Sequence, residues 1–185
     1  MLSVIIPAFN EDKTLAQVLD RVLALPTRPQ IIVVSDGSTD GTNDIVRRYV
    51  EKHRIVGIVL PVNRGKGAAI QAGLMHATQP HTIIQDADLE YSPEQFDLLL
   101  APVRRGEATV VYGSRNLRHP EVRRNDFHYF RFWLGGKVVT LVANLLFGVH
   151  LTDEPTCYKL FPTRLLRQMN LRCRGFDFCP EVTAK

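Results

Sequence analysis

Short apolar runs alternate with stretches of helical periodicity over the first two thirds of this chain. That alternation is the strongest constraint on its fold. Residues 2–9 are nearly continuous in apolar character, as a strand buried on both faces must be. Leu15, Val18, Leu19, Val22 and Leu23 then fall at helical spacing, and Pro26 and Pro29 stop that helix. A second apolar run at 31–34, a helical pattern over 44–52, a third run at 55–60 and a helical pattern over 68–77 repeat the theme. Residues 82–85 form a fourth run. Ser92-Pro93-Glu94-Gln95 after it reads as a helix start, with Ser92 as N-cap, Pro93 at the first helical position and Gln95 closing a capping box. Residues 108–112 form a further strand. Such a series predicts βαβ units with right-handed crossovers: an α/β protein with a mainly parallel central sheet and helices on both faces.

The pattern changes after Arg115. Residues 118–124 are polar and basic and read as a loop, and residues 127–149 are rich in aromatic and aliphatic side chains. A strand is expected at 157–161, a helix at 162–169 and another beginning near Pro180. A chain of 185 residues suits one domain with a sizeable core. The net charge of +4 fits an anionic substrate or membrane surface as well as nucleic acid. No nucleic-acid-binding motif accompanies the basic residues, so nucleic acid is not an expected partner. Cys157, Cys173 and Cys179 are odd in number and lack C-x-x-C spacing, which disfavours a disulfide framework or zinc site and suits a reducing cytosol. No stretch is long and apolar enough to span a bilayer, and no signal-like segment opens the chain.

The chemistry is expected at Gln85-Asp86-Ala87-Asp88-Leu89-Glu90, where a strand ends and a helix is about to begin. Ligands bind at that edge of open α/β sheets. In extended backbone Asp86 and Asp88 would point to one side. Two carboxylates so placed suit Mg²⁺ or Mn²⁺, with a diphosphate filling the remaining positions. Asp36, just past the second strand, is placed to bond a nucleobase or ribose, or else to hold the Asp-Gly-Ser-Thr turn. Asn63-Arg64-Gly65-Lys66-Gly67 is a Gly-rich loop before a helix, a setting that favours an anion. Arg115, in Gly113-Ser114-Arg115, stands at a strand's carboxyl edge and suits phosphate. Asp153 and Glu154 are either loop carboxylates or a base.

Taken in order, Pro7-Ala8-Phe9-Asn10-Glu11, Asp36-Gly37-Ser38-Thr39-Asp40-Gly41-Thr42, Asn63-Arg64-Gly65-Lys66-Gly67, Asp86-Ala87-Asp88-Leu89 and Gly113-Ser114-Arg115 resemble the motifs of family-2 glycosyltransferases of the GT-A (Rossmann-like) fold. The similarity is greatest to the polyprenyl-phosphate (dolichyl-phosphate) mannose and glucose synthases, and Thr152-Asp153-Glu154-Pro155-Thr156-Cys157-Tyr158-Lys159 resembles a late region of those enzymes. Three positions depart from the pattern: Ser35 where a second Asp is common, Glu90 where Gln is frequent, and Tyr158 where Gly is usual.

The resemblance implies inverting transfer of a hexose, mannose or glucose, from GDP- or UDP-hexose to a lipid phosphate. It places nucleotide-sugar binding in residues 1–115 and acceptor binding in 116–185. Pro7, Glu11 and Asp36 would contact the nucleoside, with Lys66 assisting and Asp86, Ala87 and Asp88 at the diphosphate. Asp86, Asp88 and Glu90 would hold Mg²⁺ or Mn²⁺. Arg115 and Arg131 would position the acceptor phosphate. Two alternatives stay open: a sugar or other hydroxyl acceptor, with Asp153 or Glu154 as base, and a nucleotide-sugar-binding module without turnover. The family usually continues well past Lys185, which leaves open a truncated chain or a form without C-terminal membrane segments.

Residues 127–149 carry two readings. Phe127, Phe130, Leu134, Val138, Leu141, Val142, Leu145 and Leu146 recur at helical spacing. They would face the core, with Arg131 and Lys137 snorkelling to water, or lie at the cytoplasmic face of a membrane beside a polyprenyl tail. Phe132 and Trp133, off the main stripe, suit the second reading.

Overall fold

The structure is a computed structural model that describes residues 2–115 and 127–185, with backbone alone for 127–133. Its strands are β1 (Leu2–Ala8), β2 (Gln30–Asp36), β3 (Val56–Leu60), β4 (His81–Ile84), β5 (Val111–Tyr112) and β6 (Lys159–Pro162). Its α-helices are α1 (Leu15–Leu23), α2 (Thr42–Lys52), α3 (Lys66–Leu74), α4 (Phe96–Arg104), α5 (Phe127–Phe147), α6 (Thr163–Gln168) and α7 (Phe178–Ala184).

The strands form one sheet in the order β3-β2-β1-β4-β6-β5. β1 pairs in parallel with β2 and β4, and β2 with β3, while β6 runs antiparallel to both β4 and β5. β6 thus inserts the later part of the chain between β4 and β5. β5, antiparallel to β6, points the same way as β4. The carboxyl ends of β1, β2, β4 and β5 and the segment entering β6 therefore share one edge. The strand order reverses between β1 and β4, which makes that edge the natural crevice for a ligand.

The period-2 alternation of the strands feeds two cores. Val4, Ile6, Val33, Ile83 and Leu160 pack under α1, α2 and α4. Ile5, Ile32, Val34, Ile84 and Phe161 pack under α3, α6 and α7. Leu15, Val18, Leu19 and Val22 of α1 are fully buried. Each such side chain contributes about 1.5–3 kcal/mol relative to exposure. The expected helices on both faces are present.

Several local expectations are corrected. Ser92 does occupy the N-cap position and Pro93 the first helical position, but of a 3-10 turn, Pro93–Gln95, and the capping box does not form. The Ser92 hydroxyl instead accepts a hydrogen bond from Arg21 at 3.1 Å, and Arg21 also pairs with Glu94. The strand expected from 108 is confined to Val111–Tyr112. The reading of 127–149 as a core helix fails for the described side chains. Thr140 and Ala143 are buried, whereas Val138, Leu141, Leu145 and Leu146 are 53%, 58%, 75% and 70% exposed. The helix forms as its periodicity predicts, but its small and polar side faces the protein. Phe127, Phe130, Phe132 and Trp133 have side chains outside the described residues, as does the loop expected at 118–124.

Glycines in the Gly-rich loop serve a close approach of backbones. Gly65 has φ +94, and a Cβ there would lie 2.4 Å from the Arg174 carbonyl oxygen; one at Gly67 would lie 2.8 Å from that of Cys173. Residues 173–175 lie directly on the start of α3. Gly65→Ala is expected to cost about 2–3 kcal/mol through backbone strain and overpacking, read as a lowered urea midpoint.

Candidate active site at the carboxyl edge of the sheet

The loops after β1, β2 and β3 are tied into one platform. Asn10, with φ 55, accepts the Thr39 amide on its Oδ1 at 2.9 Å, and its own amide donates to Ser38 Oγ. The Glu11 amide donates to Thr42 Oγ1, and its half-buried carboxylate accepts the Thr14 hydroxyl ahead of α1. Pro7 is buried beside Val34.

Asp36, 3% exposed, spends both carboxylate oxygens on the next loop: Oδ1 accepts the Arg64 amide at 2.9 Å and Oδ2 the Gly65 amide at 2.7 Å. Those hydrogen bonds fix the Gly-rich loop against β2. They also take two of that loop's backbone amides away from any anion. Beyond the two amides held by Asp36, the Gly67 amide donates to Gly175 O and the Ala68 amide to Arg174 O. Those four donors are already satisfied, and Arg64 and Lys66 supply the cationic side chains of the loop.

The acidic stretch does not continue β4 as extended backbone, so the expected side-by-side aspartates are not observed. β4 ends at Ile84, residues 87–90 bend, and Leu89 has φ 65. Asp86 turns inward and Asp88 outward. Asp86 Oδ1 lies 2.5 Å from Lys66 Nζ, with both side chains largely buried. The Lys66 ammonium also reaches Cys157 Sγ at 2.9 Å. Burial pulls the Lys66 pKa down, but Asp86 and Cys157 outweigh it, and the ammonium ends above its ordinary value. Asp88 Oδ1 accepts the Glu90 amide at 3.1 Å, and the Asp88 side chain remains exposed. Ala87 is buried between them.

The expected three-carboxylate set is not assembled. Glu90 Oε1 points to Arg115 Nη1 at 3.3 Å, and no group of three metal-ligating side chains gathers among the described residues. Asp86 and Asp88 remain a hard-oxygen pair of the right chemistry for Mg²⁺ or Mn²⁺. A cationic group already standing against buried Asp86 shows that the position accommodates positive charge. In donor chemistry, though not as a preformed pair, the two carboxylates fit a divalent ion.

Arg115 is held firmly. Its amide and Nε both donate to Asp153 Oδ2 at 2.9 Å, and Nη2 donates to Asp153 Oδ1 at 3.0 Å. Asp153 is 4% exposed, and its hydrogen bonds lift the Arg115 guanidinium further above its ordinary value. Glu154, also buried, meets the fully buried Lys159 at 3.4 Å and accepts Thr183 Oγ1 at 2.8 Å. The Arg131 side chain lies outside the described residues. A groove of about 430 Å³ beside Arg115 is lined by Tyr91, Leu98, Val111, Tyr112 and Tyr158. A larger hollow, about 610 Å³, lies between Pro80 and Arg167 at the amino ends of the strands, away from every carboxylate named above.

The motif readings missed one layer of support. Tyr158, the departure from Gly, donates its hydroxyl to Gln85 Oε1 at 2.7 Å, and Gln85 Nε2 donates to the Asp86 carbonyl oxygen at 2.9 Å. Two buried side chains thereby fix the residue that carries the inner carboxylate. The unusual tyrosine was the signal in the sequence, but its partner was not.

A mainly parallel sheet whose carboxyl edge carries two aspartates, a buried lysine and a clamped arginine is the kind of crevice in which open α/β folds bind ligands. The same fold occurs in glucosyl-3-phosphoglycerate synthase from Mycobacterium tuberculosis, solved in complex with Mn²⁺, UDP-glucose and phosphoglyceric acid. That structure matches with a TM-score of 0.67 and 23% identity over 97% of this chain and 62% of that one. Residues 3–169 match the profile of the family described as Glycosyl transferase family 2, and the chain belongs to that family. Its relatives include a dolichyl-phosphate beta-glucosyltransferase of Trichomonas vaginalis, 33% identical over 98% of this chain and 59% of that protein. An undecaprenyl-phosphate 4-deoxy-4-formamido-L-arabinose transferase of Aeromonas hydrophila is 31% identical over 91% of this chain and 51% of that protein. The chain thus spans between half and three fifths of the length of these relatives.

Removing the Asp36 carboxylate frees the Arg64 and Gly65 amides. Asp36→Ala is expected to lower stability by about 1–3 kcal/mol, measured by urea unfolding.

Proposed function

We propose that this chain moves a hexose, mannose or glucose, from a GDP- or UDP-sugar to a polyprenyl or dolichyl phosphate, with inversion. One observation carries the choice of acceptor: the carboxylates that would serve as base are committed elsewhere. Asp153 makes three hydrogen bonds to Arg115, and Glu154 is buried against Lys159. A hydroxyl acceptor needs a base to take its proton. A phosphate acceptor is already anionic: its oxygen attacks the anomeric carbon, the bond to the donor diphosphate breaks, and no proton has to move. Such an acceptor needs positioning by cations. Arg115, fixed by Asp153 and still 43% exposed along its side chain, suits that role, with Arg131 as its proposed partner. The printed names of the relatives, which act on dolichyl and undecaprenyl phosphates, favour the same reading.

On the donor side, Pro7, Glu11 and Asp36 would bound the nucleoside pocket, and Asp86 and Asp88 would hold Mg²⁺ or Mn²⁺. Such an ion, when bound, stabilises charge on the departing diphosphate. Residues 1–115 would form the donor half and 116–185 the acceptor half. No helix among the described residues is long and apolar enough to cross a membrane. The outward apolar side of α5 supports contact with the cytoplasmic face of a membrane, where a polyprenyl tail would lie.

The test is transfer from a panel of nucleoside-diphosphate hexoses to a polyprenyl phosphate. Asp88→Asn is expected to lower donor affinity at least about tenfold in Mn²⁺ without loss of fold. Arg115→Ala should keep donor affinity and lose transfer on the order of a hundredfold. Normal transfer by both variants would remove the proposed roles, and donor binding without any transfer or donor hydrolysis would favour a binding module.

Membrane contact has its own test. Leu145 and Leu146 are exposed, so serine there should cost the fold little. The double variant Leu145→Ser/Leu146→Ser is expected to reduce sedimentation with anionic vesicles by about tenfold or more, given roughly 1.5–3 kcal/mol per buried leucine.

A further inference from the structure

We propose that Lys66 is a tethered cation that holds the Asp86 position until a divalent ion displaces it, and that it then turns to the donor diphosphate. This inference rests on the metal reading of Asp86 and Asp88 above. Its basis is geometric. Asp86 Oδ1 and Lys66 Nζ are 2.5 Å apart, with side chains 12% and 16% exposed. A carboxylate so enclosed is costly without a cation. A divalent ion on the same oxygen would meet the ammonium as a like charge at close range, so the two compete for one place.

The surroundings determine what can move. The start of α3 cannot shift, because the Gly67 and Ala68 amides are bonded to Gly175 and Arg174 carbonyls and the 173–175 backbone covers Gly65 and Gly67. The lysine stem can rotate. Apart from Asp86, the ammonium meets the Cys157 thiol at 2.9 Å and the Phe176 ring at 5.8 Å, neither of which carries a fixed negative charge. A diphosphate at the carboxyl edge would offer a stronger partner. Metal alone must therefore displace Lys66 without compensation, whereas metal arriving with a nucleoside diphosphate gives the ammonium somewhere to go. The site becomes selective for the metal–donor pair over the bare ion.

The experiment is Mn²⁺ titration by electron paramagnetic resonance without nucleotide, paired with thermal unfolding with and without Mn²⁺. Lys66→Met keeps most of the stem and removes the charge. It is expected to bind Mn²⁺ about tenfold or more tighter than the wild type. Its Tm without metal should fall, because Asp86 is left buried and unpaired, and millimolar Mn²⁺ should restore it. Lys66→Arg, which keeps the charge, should bind Mn²⁺ as weakly as the wild type. If Lys66→Met does not fold without metal, refolding in Mn²⁺ decides: recovery supports the proposal and its absence overturns it. Unchanged Mn²⁺ affinity in Lys66→Met, or a lost Tm that Mn²⁺ does not repair, leaves Lys66 a structural ion pair and overturns the inference alone. A wild type that binds no Mn²⁺ with or without nucleoside diphosphate would sink the metal reading and this inference together.

Discussion

The buried ion pair between Asp86 and Lys66 ties together three parts of the chain at the carboxyl edge of the sheet. Asp86 leaves the end of β4, Lys66 opens α3, and Cys157, against the same ammonium, precedes β6. A carboxylate in that position is tolerable only with a cation beside it, and a buried lysine only with an anion. Each therefore specifies the other. The Gly-rich loop has to be held close enough to deliver Lys66, and the Asp36 carboxylate does this by gripping two of its backbone amides. The crevice is assembled by satisfying buried charge.

The same economy explains the glycines. In a phosphate loop, glycines let a ligand approach the backbone. Here Gly65 and Gly67 let the 173–175 backbone approach instead, and their neighbouring amides are spent on its carbonyl oxygens. The later part of the chain thus braces the Gly-rich-loop side of the crevice. It braces the Arg115 side too, since Asp153 orients Arg115 just past β5. β6, inserted between β4 and β5, makes the Asp153 contact possible by reversing direction and bringing the segment that precedes it to the carboxyl edge.

α5 follows a different logic. A helix serving the core would turn Val138, Leu141 and Leu145 inward, yet these are exposed and Thr140 faces the protein. Thr140 Oγ1 accepts the Glu154 amide, so the inward side is anchored by a hydrogen bond next to Asp153 rather than by apolar packing. The exposed side is then an apolar surface beside the proposed acceptor region, which is what a lipid-linked substrate would require.

Much of this was legible in the sequence. Alternating apolar runs and helical spacing determined the α/β class, because a strand buried on both faces cannot be written otherwise. The ordered motifs determined the family, and their positions after strands determined which edge carries the chemistry. Only the tertiary structure decided what each motif residue does there. Lone carboxylates in a sequence carry no information about their partners. Asp36 proved to hold a loop, Asp153 to clamp Arg115, Glu90 to face Arg115 rather than join the aspartates, and Asp86 to share a buried cation from a helix two elements earlier. The outward turn of α5 was likewise undetermined by sequence. Helical periodicity says which residues share a face, and only the packing of the whole chain says which way that face looks.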